Sequence, residues 1–460
     1  MDVTPRHRSV IDPGLLPAAL WTRAYLRRCD TTAGSSDLTI ALRRATGATS
    51  LYQTQVLAPG IDDVATYFHV ERTVKFLLWS RGGAEVLLSG AQAAPLCAKL
   101  QADYAVRGPR AFDADFFRKV FARPLTFSTA PKIETSAAGD ARLPRGRHLD
   151  GCRIGFDLGG SDRKCAALID GKVVFSEEVK WDPYFQTDPR YHLEGIRASL
   201  ALAARHLPRV DAIGGSAAGI YVDNQVRIAS LFRGVTDPQV FDAQVRNIFV
   251  DLAQEHAVPF EVLNDGDVTA LAASMSLGRN AVLGVAMGTS VAAGYIDPAG
   301  DLTDRLSELA FVPIDFRPDG PVDEWSGDRG CAVQYFSQQG VGRLLPLAGI
   351  ILPPSLKLPE QLEELQRLML ARDPRSRLVY EAIGIAFGYA IAHFASFYEL
   401  DCLLIMGRVT SGPGGSVIIE QANQVLQDEF PELRIDLIVA DEKDRRHGQA
   451  IAAASLPSLR

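Results

Sequence analysis

IGFDLGGSDRK, residues 154–164, decides how the rest of this chain is read. An apolar run ends in Asp157, the chain turns through Gly159, Gly160 and Ser161, and a second apolar run, KCAALID, follows at once. Glycines have no Cβ, so main-chain N–H groups in such a turn can reach an anion directly, and Ser161 adds a hydroxyl donor. An acidic group at the strand end, Asp157, is suitably placed to hold a hydrated Mg²⁺ beside phosphates. A plain hairpin turn has the same appearance, so this segment alone leaves both readings open.

Working outward, Asp170-Gly171 separates KCAALID from KVVFSEEV and marks a hairpin. A helical stretch over about 191–206, a strand-like VDAIGGSA, a helix near 238–256, a strand at FEVLN and a helix from about 266 follow. The pattern then restarts at Ala281. In VAMGTSVAAGYI, residues 285–296, a strand runs into Gly288, Thr289 and Ser290, a second candidate phosphate clamp or a hairpin with local turn hydrogen bonds. Two such turns, each opening one half of a repeated pattern, are hard to ascribe to accident. Hairpins followed by alternating helices and strands, twice over, predict an α/β pair of lobes with a cleft between them.

Further segments carry polar residues at strand ends. VLNDGDVTALAA, residues 262–273, delivers Asn264, Asp265 and Asp267 to the start of a helix. Helix capping accounts for one of these. A carboxylate at such a strand end can also accept the proton of a hydroxyl that attacks phosphorus. In CLLIMGRVTSGPGG, residues 402–415, a strand empties into a glycine-rich loop. There Gly407, Gly412 and Gly414 would let backbone lie against a flat base and ribose, and Arg408 would stack there or cover the surface.

The chain's 460 residues imply more than one domain, and 47% apolar with 22% charged residues is the composition of a globular protein. A net charge of −7 gives no support to a nucleic-acid or anionic-membrane surface. Six cysteines (Cys29, Cys97, Cys152, Cys165, Cys331 and Cys402) contain no CxxC pair, so neither a disulfide framework nor a structural zinc is expected, and a cytoplasmic, reducing compartment is. The opening MDVTPRHRSVIDPG has no apolar core of a signal peptide. AIGIAFGYAIAHFASFY, residues 382–398, is expected to be a buried core helix, with Gly384 and Gly388 one turn apart admitting a close neighbour.

Residues 1–128 mix strand-like runs (KFLLWS, AEVLLSG) with helical ones (AAPLCAKLQADYA, FDADFFRKVFA) and are expected to be an α+β domain. Residues 129–150 read as a linker, 151–280 as the first lobe and 281–460 as the second. His192, His206 and His447 lack ligand-like spacing and are expected at the surface or in caps. The DEKDRRHG run at 441–448 reads as a solvated helix start. Trp325 is expected either in the core or lining the cleft.

Taken in order, these motifs resemble the ROK family of repressors, uncharacterised reading frames and sugar kinases, within the actin-like superfamily, over about residues 152–456. DLGGS is similar to the family's first phosphate motif and MGTS to its second. NDGD is similar to its Asn-Asp-Ala-Asn motif, GGSAAGIYVDN (214–224) to its segment around a Pro-Gly turn, and LSELAF (306–311) to its Gly-Glu-x-Gly-His element. The resemblance implies a two-lobed, actin-like and ribonuclease-H-like duplicated fold with an additional N-terminal α+β domain. It implies an ATP-dependent kinase with Asp265 as general base and Mg²⁺ near Asp157. Gly159, Gly160, Ser161, Gly288, Thr289 and Ser290 would bind phosphate, and Gly407, Arg408 and Gly412 would meet adenosine. Asn264, Asp267, Glu308, Gly219 and Ser230 would face the substrate.

The departures are informative. The family's structural zinc is held by a His and three cysteines. Here the matching region, WSGDRGCAVQYFS (325–337), keeps only Cys331, and Phe311 stands at the His position. The Glu expected after Gly-Cys is Val333, with Gln334 beside it, and no substrate-binding Asn is evident in ASLFRG (229–234). The resemblance therefore implies a changed acceptor: a sugar, amino sugar, cyclitol or related polyol other than ordinary glucose. Expected partners are that polyol and a nucleotide, with a homodimer as the candidate assembly and neither nucleic acid nor membrane. Two alternatives stay open: a ligand-sensing regulator, given a faint helix-turn-helix look around Thr46-Gly47 in residues 38–57, and a nucleotide-binding scaffold without catalysis.

Overall fold

In the computed structural model, which describes residues 1, 3–44, 47–133, 142–143, 145–439 and 442–459, the strand Cys152–Leu158 is buried along its whole length. A strand covered on both faces reads as a continuous apolar run, and Gly155 is the reason it can be covered so closely. A Cβ there would fall 1.8 Å from the Ala450 carbonyl oxygen of the helix Glu442–Ala454. Gly214 on the neighbouring strand Ala212–Ala217 admits the Ala453 carbonyl in the same way.

The contacts divide the chain into two compact units. The unit of Arg142–Gly284, Ala293–Asp304 and Ala440–Arg460 is built on a five-stranded sheet. Its order is Phe260–Asn264, Ala212–Ala217, Cys152–Leu158, Asp162–Ile169 and Lys172–Lys180. The first three strands run parallel, the last two turn back as antiparallel hairpins, and Asp170 and Gly171 make the predicted turn with positive φ. Helices Pro189–Ala204, Ile248–His256 and Asp265–Leu277 follow the predicted pattern, with a π-helical turn, Phe241–Val245, before Ile248.

The other unit comprises Met1–Ala141, Val285–Ala292 and Arg305–Val439. Its N-terminal residues form a four-stranded sheet, ordered Thr49–Val56, Ser36–Arg43, Glu85–Ser89 and Thr126–Thr129. KFLLWS, expected as a strand, is instead part of the helix Asp63–Arg81. That helix is buried almost all round, and an apolar run covered on every side carries no period by which helix and strand differ. Residues 38–57, whose faint helix-turn-helix look kept a regulator open as an alternative, form the antiparallel pair Ser36–Arg43 and Thr49–Val56, with Thr46 outside the described residues. Much of the expected linker, 134–141 and 144, also lies outside them.

Residues 382–394 lie in the helix Pro374–Phe394, and 395–398 follow it. Gly384 and Gly388 face the helix Pro413–Glu429, where an added Cβ would meet the Ile418 carbonyl at 2.7 Å and the Ala422 carbonyl at 2.9 Å. Gly388→Ala should therefore cost about 1–3 kcal/mol, read as a lower urea midpoint for this unit. An unchanged midpoint would show that the helices separate freely. No helix among the described residues is long and apolar enough to cross a membrane. All six cysteines are buried and free.

Candidate functional site

Three adjacent strand ends assemble the first group of predicted residues. Parallel register sets Asp157 opposite Ser216, Ser216 opposite Leu263, and Ala217 opposite Asn264. Ser216 Oγ donates to Asp157 Oδ1 at 2.8 Å. Burial raises the Asp157 carboxyl above its ordinary range, partly offset by the Lys164 ammonium and the Ser216 hydroxyl. Lys164 was not among the predicted residues. The antiparallel register places it directly across from Asp157, with Nζ 3.6 Å from Asp157 Oδ2 and 3.3 Å from Asp162 Oδ1. Burial pulls the Lys164 ammonium down, but the two carboxylates hold it above its usual value, so it carries its charge beside the turn. A basic residue six beyond the leading Leu158 was visible in the sequence; only hairpin register gives it meaning.

The turn between these strands is short, with Gly159 and Gly160 half-buried and Ser161 exposed. Gly159 N–H donates to the Asp162 carbonyl at 3.0 Å, and Trp181 Nε1 fastens the Gly159 carbonyl at 2.8 Å. Among the described residues nothing accepts from the N–H groups of Gly160 and Ser161, and Ser161 Oγ donates to Asp162 Oδ2. Gly160 is required sterically: a Cβ would lie 2.1 Å from the Tyr184 hydroxyl oxygen.

Asn264 is the N-cap of the helix Asp265–Leu277, accepting from Gly266 N–H at 2.7 Å, while its Nδ2 donates to the Gly219 carbonyl at 2.7 Å. The predicted cap is therefore Asn264, and Gly219, with φ 141°, is joined to it. Asp265 opens the helix, half-buried. Burial, then the Asp157 charge, push its carboxyl up to about 6, against the Gly266 N–H, which lowers it. Asp267 lies half-buried one turn-step further on. Gln449, also absent from the prediction, donates to Ser216 Oγ at 3.1 Å and to the Asp265 carbonyl at 3.4 Å, tying the two carboxylate-bearing segments together. Ser230 is exposed on the short helix Ser230–Phe232.

The remaining predicted residues belong to the other unit. Thr289 and Ser290 are exposed, Gly288 N–H donates to the Ser290 carbonyl at 2.9 Å, and the Gly288 carbonyl accepts from Gln338 N–H. Among the described residues no acceptor meets the N–H groups of Thr289 and Ser290. Gly407, with φ 106°, lies against this strand: a Cβ would come 2.3 Å from the Met287 carbonyl oxygen. Met287-Gly288 and Gly407 are thus backbone neighbours, although nothing in the sequence joins them. Gly414 is used by the protein itself, against the Tyr380 ring, whereas Gly412 faces open space and Arg408 is exposed.

Glu308 is set by the N-terminal helix. Its N–H donates to the Trp79 carbonyl at 3.0 Å, and those of Ser307 and Leu306 donate to the Ser80 and Arg81 carbonyls. The last carbonyls of a helix lack partners within it, so the 306–308 segment caps Asp63–Arg81 and is held by it. Ser307 adopts φ 52° to allow this. Phe311 packs on Trp79 with ring centroids 4.4 Å apart, and Cys331 is buried, its thiol pushed up to about 12 by burial despite nearby Lys75. Among the described residues no group of three or more His, Cys, Asp and Glu is placed to hold a metal.

Two expectations need correction. His192 is not at the surface: it is fully buried, its Nε2 facing the Pro183 and Leu231 carbonyls at 3.1 and 2.9 Å. Trp325 belongs to no core, being 73% exposed. His206 stacks on Phe175, and the side chain of His447 and Asp441 of the charged run lie outside the described residues.

No family model matches this chain. No curated protein matches it either. Solved structures do. A ROK hexokinase from Thermus thermophilus is 19% identical with a TM-score of 0.52, over 66% of this chain and 96% of that one. A ROK family glucokinase from Streptomyces griseus, solved with glucose and AMPPNP, is 19% identical with a TM-score of 0.50, over 66% and 98%. A ROK family transcriptional regulator, a homologue of the E. coli MLC protein, is 18% identical with a TM-score of 0.54, over 67% and 78%. Likeness at this identity speaks for architecture, and kinases and a regulator share it. The chain therefore has the α/β fold shared by these ROK-family kinases and this ROK-family regulator.

Proposed function

We propose that this protein is an ATP-dependent kinase that phosphorylates a hydroxyl of a sugar, amino sugar, cyclitol or related polyol. The observation that carries this reading is that Asp265, whose carboxyl is raised to about 6 by burial and the Asp157 charge, neighbours Asp157, which itself lies across from Lys164 beside the free N–H groups of Gly160 and Ser161. A base with that pKa is ionised near neutrality yet basic enough to take a proton from an attacking hydroxyl. Fixed N–H dipoles and an ammonium suit a transferring phosphoryl group, whose transition state is stabilised largely by positioning and charge neutralisation.

Asp265 accepts the acceptor's hydroxyl proton. Asn264 and Gly219, locked to each other, present the acceptor, with Asp267, Glu308 and Ser230 as further polar contacts. Gly160 and Ser161 are proposed to offer backbone N–H groups to phosphate, and Thr289 and Ser290 carry free N–H groups suited to the same role. Gly407, Gly412 and Arg408 are proposed to lie along the adenosine. A single carboxylate with the nucleotide's own phosphates suffices for Mg²⁺, and Asp157, beside the first turn, fits as that carboxylate. The bound ion would supply further charge neutralisation on the phosphates. Lys164 favours the ionised form of Asp157 against the effect of burial.

ADP release from ATP and Mg²⁺ across a polyol panel tests the reading, and release with at least one polyol above the water background is expected. Lys164→Met should lower kcat about tenfold to a hundredfold, since it removes one charge-assisted contact to phosphate. A Lys164→Met enzyme as fast as the parent would remove Lys164 from the mechanism. The regulator seen among the similar structures motivates one control: the same protein with no ADP release but saturable AMPPNP or sugar binding would point to a sensor.

A further inference from the structure

The loop that follows the strand Lys172–Lys180 is fastened to the first glycine turn from outside. Trp181 donates from its indole to the Gly159 carbonyl and from its backbone to the Ser161 carbonyl. Tyr184 then lies directly against Gly160, in space that any Cβ at 160 would occupy. The Arg233 guanidinium stacks over the Tyr184 ring, 4.0 Å from its centroid, and 5.3 Å from that of Phe185. Gly234 completes the fit, its missing Cβ making room for the Gln186 backbone.

His192 clamps both sides of this stack. It is fully buried, and its Nε2 faces the Pro183 carbonyl next to Tyr184 and the Leu231 carbonyl two residues before Arg233. Burial holds the imidazole below its usual pKa, so it stays neutral, and a neutral ring with a hydrogen on Nε2 donates to both carbonyls. Arg233 itself is exposed, and among the described residues its guanidinium has neither an ion pair nor a hydrogen bond. A planar cation stacked on an aromatic ring keeps its N–H edges free, and those edges match the oxygens of a carboxylate or phosphate. Phe185, 73% exposed, adds an apolar edge beside it.

We infer that Tyr184 and Arg233 form an oxyanion-reading arm beside the Gly159–Ser161 turn, positioned by His192. The oxyanion comes from one of two sources: an acidic group on the acceptor, which would make the substrate a sugar acid or sugar phosphate, or a phosphate of the nucleotide. This rests on the kinase reading only for the identity of the source; the anion site stands on its own geometry.

Calorimetric titration of the full chain and of Arg233→Gln decides the matter, and Arg233, being exposed, tolerates substitution without unfolding. With inorganic phosphate as the probe, the parent should bind and Arg233→Gln should bind about ten- to a hundredfold more weakly. Equal affinities, or no phosphate binding by either protein, overturn the arm. AMPPNP with Mg²⁺, and a panel of hexuronates and hexose phosphates beside neutral hexoses, then locate the source. A loss confined to the acids assigns Arg233 to the acceptor, and a loss confined to AMPPNP assigns it to the nucleotide. If phosphate binding depends on Arg233 while AMPPNP does not bind the parent at all, the kinase reading falls and the anion site remains. Arg233→Lys, keeping charge without the fork, should recover only part of the affinity.

Discussion

Asp265→Asn is expected to lower kcat about a hundred- to ten-thousandfold, the range for removing a general base, and to leave AMPPNP affinity essentially unchanged. Asparagine keeps the size of the side chain and an oxygen for the Gly266 N–H, so the helix start survives while the proton acceptor is lost. The parent's pH profile provides an independent reading. A carboxylate base works only when ionised, so kcat/KM should fall as pH drops through about 6, the value to which burial and the Asp157 charge raise it. A carboxyl at its ordinary value would keep the enzyme active to well below that pH. The same shift has a consequence for stability. A carboxyl whose folded pKa lies above its unfolded value opposes folding once it is ionised, so Asp265→Asn should be at least as stable as the parent at pH 7. Loss of turnover with gain of stability separates a catalytic role from a structural one. Full turnover in the variant would refute the base assignment.

Asp328→Asn is expected to destabilise its unit by about 3–5 kcal/mol, the cost of breaking a buried ion pair from one side. Its carboxylate meets Lys75 Nζ at 2.7 Å, Arg72 Nη1 at 2.9 Å and Arg110 Nη1 at 2.6 Å. Lys75 is fully buried, and Glu71 and Asp113 supply the other negative charges, to Arg72 and Arg110 and to Lys75 respectively. Burial alone would raise the Asp328 carboxyl, but Arg72 and Lys75 hold it below its ordinary value. Its stabilisation is therefore present above the unfolded carboxyl pKa and is lost as pH falls through the lower, folded value. Neutralising Asp328 leaves buried Arg72 and Lys75 and half-buried Arg110 facing two carboxylates, and Asp113, already raised by burial, is a weak substitute. The urea midpoint of this unit measures the loss, and the double variant Lys75→Met with Asp328→Asn should recover part of it. A midpoint shift below about 1 kcal/mol would mean the charges are solvated rather than interlocked. Because the helix Asp63–Arg81 carries Lys75 at one level and holds the 306–308 segment by its last carbonyls, the unfolding should also be seen as a higher KM before it abolishes turnover.

The N-terminal residues show how far a sequence can be read. Strand AEVLLSG and helices AAPLCAKLQADYA and FDADFFRKVFA were legible because each is half-buried, and one solvated face prints a period on the sequence. KFLLWS was misread because the part of the helix that holds it, residues 69–80, has no solvated face. What that helix does, accepting N–H groups from 306–308 through its carbonyls and closing charges against Asp328, involves residues more than two hundred positions away, to which no local pattern refers.

The site divides along the same line. Asp157, Gly159–Ser161, Asn264, Asp265 and Gly288–Ser290 stood out because a turn or cap needs particular residue types at particular offsets. Those needs are local, so the sequence by itself determined the strands and turns that carry these motifs and the motifs' order. Lys164, Ser216, Gln449, His192 and the Tyr184–Arg233 stack have no such signature. They matter through strand register, close glycine packing and shared carbonyls, and only the tertiary structure decided them, because the partners that give each its charge state and orientation come from elsewhere in the chain.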